Sequence, residues 1–181
     1  LISTVVREAS APLGQSFSTL VMPDSASSLH ATMGTLDIQM SIMTGTVSQP
    51  ISLTVRSADS ASLPNGFAAL GVPFMVEAYD LSGTALAALS FDVPIATTIS
   101  YAAEVGGLEG SAGGITLQYY DEPTQTWLML PTVVDIKKST LQSAIGQTGV
   151  HAVLLATPTH LDDKDEPILD RSLYLPLINI K

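Results

Sequence analysis

Cysteine is absent from the 181 residues. That excludes disulfides and every zinc, haem or iron–sulfur site built on thiolate. Positive charge is scarce. Seven Lys and Arg stand against 17 Asp and Glu, giving a net charge of −10. From residue 57 to residue 136 there is no Lys or Arg at all. A nucleic-acid groove neutralises phosphates with clustered positive charge, so DNA and RNA are set aside as partners. Docking on anionic lipid is disfavoured for the same reason. No apolar run has the length of a membrane span. No segment carries an apolar stripe of helical period flanked by caps. Aromatic residues make up only 6% of the chain, with one Trp. Glycosidase carboxylates work in grooves with aromatic platforms, and this stock is poor for one.

What is present is apolar and small-polar. Hydrophobic residues are 46% of the chain and charged residues 13%, which is neither a disordered nor a coiled-coil composition. The length suffices for one full core or two small ones. The period that dominates is two. Leu36, Ile38, Met40 and Ile42 alternate with Thr35, Asp37, Gln39 and Ser41, a half-buried strand. Ile51, Leu53 and Val55 repeat the pattern, as do Phe74, Val76 and Ala78, and Ile95, Thr97, Ile99 and Tyr101. Residues 115–120 and 126–130 flank Asp121-Glu-Pro-Thr-Gln125, a hairpin loop. Residues 139–145 and 149–156 finish the series. Pro and Gly punctuate the runs, as in Pro64-Asn-Gly66 and Gly71-Val-Pro73. Many short strands at even spacing predict an all-β antiparallel sandwich or barrel. We divide the chain into an N-terminal arm or strand (1–15), a β-sandwich domain (16–158), a charged linker (159–171) and an apolar C-terminal tail strand (172–181).

No catalytic constellation stands out. His30, His151 and His160 have no ligand spacing between them, so no metal site is assigned. His151 reads as a core-edge or surface residue of the last strand. Serines are abundant, yet no Gly-x-Ser-x-Gly elbow exists. Asp121 and Glu122 read as a solvated turn beside Pro123. Asp162, Asp163, Asp165, Glu166 and Asp170 offer oxygen ligands for calcium, but without EF-hand spacing or its glycine. We read them as a solvated acidic linker that its own charge extends. Trp127 and Met129 share one face of a strand whose other face carries Leu128 and Leu130. That pattern predicts a strand buried on both sides, with Trp127 packed as a core anchor rather than a sugar platform. The expectation is therefore a protein that is not an enzyme and takes no cofactor. Neither carbohydrate nor calcium is indicated as a ligand.

The order of motifs resembles a known module. Residues 43–55 (MTGTVSQPISLTV), 74–83 (FMVEAYDLSG), 115–127 (ITLQYYDEPTQTW) and 150–155 (VHAVLL) are similar to an Ig-like β-sandwich of exported bacterial proteins. That module is distantly similar to the sandwich of ankyrins and netrin receptors. The resemblance spans most of residues 34–156. It implies an Ig-like fold and an extracellular or cell-surface setting, with the signal peptide removed, and implies no activity. Leu1 in place of Met fits a processed or partial form. Some eukaryotic relatives cut themselves at a His-Phe-Ser sequence before the final strand. Gln147-Thr148-Gly149 stands there in this chain, so neither nucleophile nor activating His is present. Tyr174-Leu-Pro-Leu-Ile178 also resembles short sorting-type ends of secreted bacterial proteins.

The tail is the sharpest functional signal. Leu173, Leu175 and Leu177 point one way in an extended strand, and Tyr174, Pro176, Ile178 and Ile180 the other. An apolar strand behind a charged linker must be buried somewhere. Pro176 has no N–H to give a ladder, which suits an edge or groove and not a sheet centre. The linker reaches up to about 45 Å, enough for a neighbouring subunit. We therefore expect self-association into a polymer by donor-strand complementation through these seven residues. The arm at residues 1–6 is a second candidate donor. The other reading is a carbohydrate- or protein-binding module of a larger exported protein.

Overall fold

The computed structural model describes residues 15–58, 62–102 and 114–156. Twelve strands fill them: β1 Ser16–Val21, β2 Ser27–Met33, β3 Leu36–Ile42, β4 Ile51–Ser57, β5 Phe67–Ala69, β6 Phe74–Tyr79, β7 Ser90–Tyr101, β8 Ile115–Asp121, β9 Thr126–Met129, β10 Thr132–Asp135, β11 Thr140–Gln147 and β12 Gly149–Ala156. They form an antiparallel β-sandwich, as the period-two reading expects. The larger sheet runs β1-β4-β6-β12-β8-β9, and the smaller runs β10-β11-β7-β3-β2. Strand β5 pairs β12 at Leu154 through Ala156, end to end with β6, which pairs the other end of β12.

The alternation in sequence becomes the core. Leu36, Ile38, Met40 and Ile42 of β3, with Ile95 and Ile99 of the neighbouring β7, face Leu53 and Val55 of β4 and Phe74 and Val76 of β6 in one buried cluster. Residues between them point outward, as the pleat requires. Two glycines are placed by sterics. Gly71 lies at φ +86, where a Cβ would meet Leu36 Cγ at 2.7 Å. Gly149 lies at φ +138, where a Cβ would meet the Tyr119 ring at 2.6 Å. Pro94 falls inside β7, but at an irregularity. Ile145 of β11 pairs Ile95 while Gln147 pairs Ser90, so no ladder bond is asked of the proline.

The two sides of the sandwich close differently. On one side β1 lies against β2, and the corner between them is tied by the Gly45 N–H to the Pro23 carbonyl at 2.8 Å. On the other side the chain leaves the larger sheet after β9, turns through Leu130 and Pro131, and joins the smaller sheet as β10. Among the described residues, strands β9 and β10 are thus both sheet edges, one in each layer.

Candidate functional site

The β9–β10 side gathers the features that sequence reasoning singled out near Trp127. Register places Tyr120 opposite Trp127 and Gln118 opposite Met129. Beyond that pair the ladder stops. Leu130 N–H still reaches the Leu117 carbonyl at 2.9 Å, and Leu117 N–H donates to Thr132 Oγ1 at 3.1 Å. Thr132 in turn donates to the Leu130 carbonyl at 2.8 Å, which holds the corner. Among the described residues, Ile115 and Thr116 have no strand beside them on this side.

The result is an open groove of about 660 Å³ lined by Ile115, Thr116, Met129, Leu130, Pro131 and Val134. No residue of β9 or β10 is buried. Leu128 is 48% exposed, Met129 64% and Val133 70%. This corrects the expectation of a strand buried on both sides. The run is apolar on both faces, yet it lies at an edge and its own domain covers neither face fully. Trp127 is likewise not a core anchor. It is half-buried, its ring sits 5.3 Å from Tyr120 at an interplanar angle of 55°, and its Nε1–H donates to the Ser62 carbonyl at 2.9 Å. The indole thus pins the segment leading into β5. Its polar edge is engaged, and the two tilted rings make no flat platform for a sugar.

Charge is uneven around the groove. Of the seven Lys and Arg, three lie among the described residues: Arg56, Lys137 and Lys138. Arg56 sits on the outer face of the larger sheet, with its Nε and Nη2 on Glu77 at 3.0 and 2.7 Å. Glu77 also accepts from the Tyr79 hydroxyl at 2.9 Å. The Arg56 hydrogen bond holds the Glu77 carboxyl below its usual range, and the Glu77 bond raises the Tyr79 phenol. Lys137 and Lys138 instead follow β10 directly, in a 3-10 turn capped by the Asp135 side chain. The only two basic residues besides Arg56 among those described therefore mark one end of the open edge.

His151 also departs from expectation. It is 1% exposed, stacked on Phe74 at 5.6 Å and tilted against Tyr119 at 5.4 Å. It lies on the inward face of β12 because it pairs Phe74 and Tyr119, both turned to the core. Burial pushes its pKa down to about 4, and a bond between Nδ1 and the Gly149 carbonyl only partly offsets this. His30 is exposed and pairs Asp37 at 2.7 Å. Among the described residues no serine hydroxyl bonds a histidine, and no group of three or more His, Asp and Glu could hold a metal ion. Asp121 and Glu122 form the β8–β9 turn, where Asp121 accepts from Thr124. No helix among the described residues is long and apolar enough to cross a membrane.

The seven tail residues, Leu173 through Ile178 and Ile180, lie outside the described residues. So do the acidic cluster at 162–170, His160 and the arm at 1–14. The groove itself escaped sequence reasoning. Its signal was the apolar pair of faces at 127–130, which was assigned to the core. No family model, curated protein or solved structure matches this chain.

Proposed function

We propose that this chain is an extracellular structural subunit of a bacterial surface filament or layer, assembled by exchange of terminal strands. The observation that carries the reading is the open β9–β10 edge, which leaves Leu128, Met129 and Val133 exposed in a chain that also has an apolar C-terminal tail in its sequence. An unpaired apolar edge is a template for strand addition, and proteins that do not use such edges blunt them with charge or bulges. Strands β9 and β10 are short, four residues each, and β10 ends on Asp135, but neither contains a Lys, an Arg or a proline. The Ig-like resemblance to exported bacterial modules supplies the setting.

The energetics suit a durable joint. Burying four or five aliphatic side chains of the tail contributes about 6–12 kcal/mol before association costs. A contact between unlike surfaces, repeated head to tail, gives an open polymer. Deleting residues 172–181 tests the reading. Native material should form polymers by electron microscopy and light scattering, and the shortened chain should stay monomeric and folded. Equal assembly by both chains would discard it.

A further inference from the structure

We propose that the edge of β10, which no strand among the described residues pairs, is with the groove behind it the seat of residues 173–180 of a second copy of this chain, added antiparallel to β10. This rests on the strand-exchange reading above and names its acceptor.

Three observations converge on that seat. The first is apolar demand. β10 and β9 are the only strands among those described in which no residue is buried, apart from the three-residue β5. The groove between them is lined by Ile115, Met129, Leu130 and Val134. The opposite side has no such need, because β1 lies against β2. A strand laid along β10 would give its backbone a ladder and cover the groove in one step.

The second is direction. Lys137 and Lys138 stand at the C-terminal end of β10. The segment before the tail carries five acids, Asp162, Asp163, Asp165, Glu166 and Asp170, against two bases, Lys164 and Arg171. Opposite charges meet if the tail enters at the lysine end and runs back along β10. That path is antiparallel, like every pairing in the sandwich. Pro176 then sets the phase. It has no N–H, so even-numbered residues turn their backbone away from β10. Leu173, Leu175, Leu177 and Asn179 turn their N–H and C=O toward it.

The third is reach. The last described residue, Ala156, lies beside Gly114, next to the Leu155–Ile115 pair at the end of the groove. The 16 residues between Ala156 and Leu173 span up to about 55 Å when extended. That length suffices to reach the same groove on a neighbouring copy.

The absence of cysteine makes the test clean. Val133→Cys marks the open edge at an exposed site, and Leu20→Cys, also exposed, marks β1 on the closed side. Each is mixed in the full chain with a size-tagged partner carrying one cysteine at a position from 173 to 178, under mild oxidation. A disulfide needs Cα atoms about 4.4–6.8 Å apart, so trapping reports strand adjacency. Intermolecular traps to Val133→Cys should recur at every second tail position, at least tenfold above those to Leu20→Cys. Light scattering is read on the same uncrosslinked mixtures. Polymers with no excess of traps at position 133 overturn this seat and leave strand exchange standing. Monomers throughout overturn both. Traps that form only within one molecule, in a chain carrying both cysteines, overturn the second copy as donor.

Discussion

The two sides of this sandwich solve the same problem in opposite ways. Both end in edge strands, and an edge strand exposes backbone groups and half of its side chains. At the β1–β2 side the two layers lean together. Leu29, Ala31 and Met33 of β2 are buried in strict alternation, and Val21 closes the corner. At the β9–β10 side the chain crosses between layers too early for closure. Its apolar residues stay at the surface, and the first two residues of β8 lack a neighbour there among the described residues. The difference teaches that apolar content does not itself tell whether a strand is satisfied. What matters is whether the same domain supplies the covering face.

The sharpest way to break this comparison is to truncate one side chain on each side. Met33→Ala empties a buried site on β2 and should cost about 2–5 kcal/mol in urea unfolding. Val133→Ala on β10 removes an exposed side chain and should change stability by less than about 0.5 kcal/mol. Similar losses at both sites would mean the β10 side is already covered within the monomer.

The next effect comes from the central strand on which both sides lean. His151 is neutral in the fold, with a pKa pushed from 6.5 down to about 4, whereas the unfolded chain takes a proton near 6.5. The unfolded state thus binds more protons between those values. The stability tied to the neutral imidazole is fully present above pH 6.5 and is lost as pH falls toward 4. The loss should approach about 3 kcal/mol. His151→Leu should remove this component, so the wild-type minus variant stability should fall between pH 7 and pH 4. A flat difference curve would contradict the burial.

A smaller effect sharpens the picture of the open side. Trp127→Phe keeps an aromatic ring against Tyr120 but deletes the bond to the Ser62 carbonyl. The expected cost is about 1 kcal/mol by chemical denaturation. A cost near zero would show that the indole does not pin that segment.

Much of the fold was legible in the sequence, because a strand buried on one face writes its environment as alternation. β3, β4, β6 and β7 were readable in this way, and the β8–β9 hairpin from its Pro-containing turn. β2 carries the same alternation through Leu29, Ala31 and Met33, but Ala31 is too small to draw the eye. β10 is four residues long, with Val133 and Val134 side by side, and has no period to read. The site was legible only as a contradiction. Residues 127–130 are apolar on both faces, and that says both faces favour burial without saying which molecule provides it. His151 was hidden by its type, since a lone histidine in a strand carries no mark of its neighbours. Its place in the unbroken apolar run of β12 was the clue.

The most direct test of the central claim uses the exposed positions of the open edge. Met129→Lys together with Val133→Lys places two charges on the edge proposed to receive the donor strand, at two exposed sites. The molar mass of the full chain is measured by light scattering beside its urea midpoint. The native chain should be a polymer and the variant a monomer, with stabilities equal to within about 0.5 kcal/mol. Polymers of equal mass from both chains would contradict the claim.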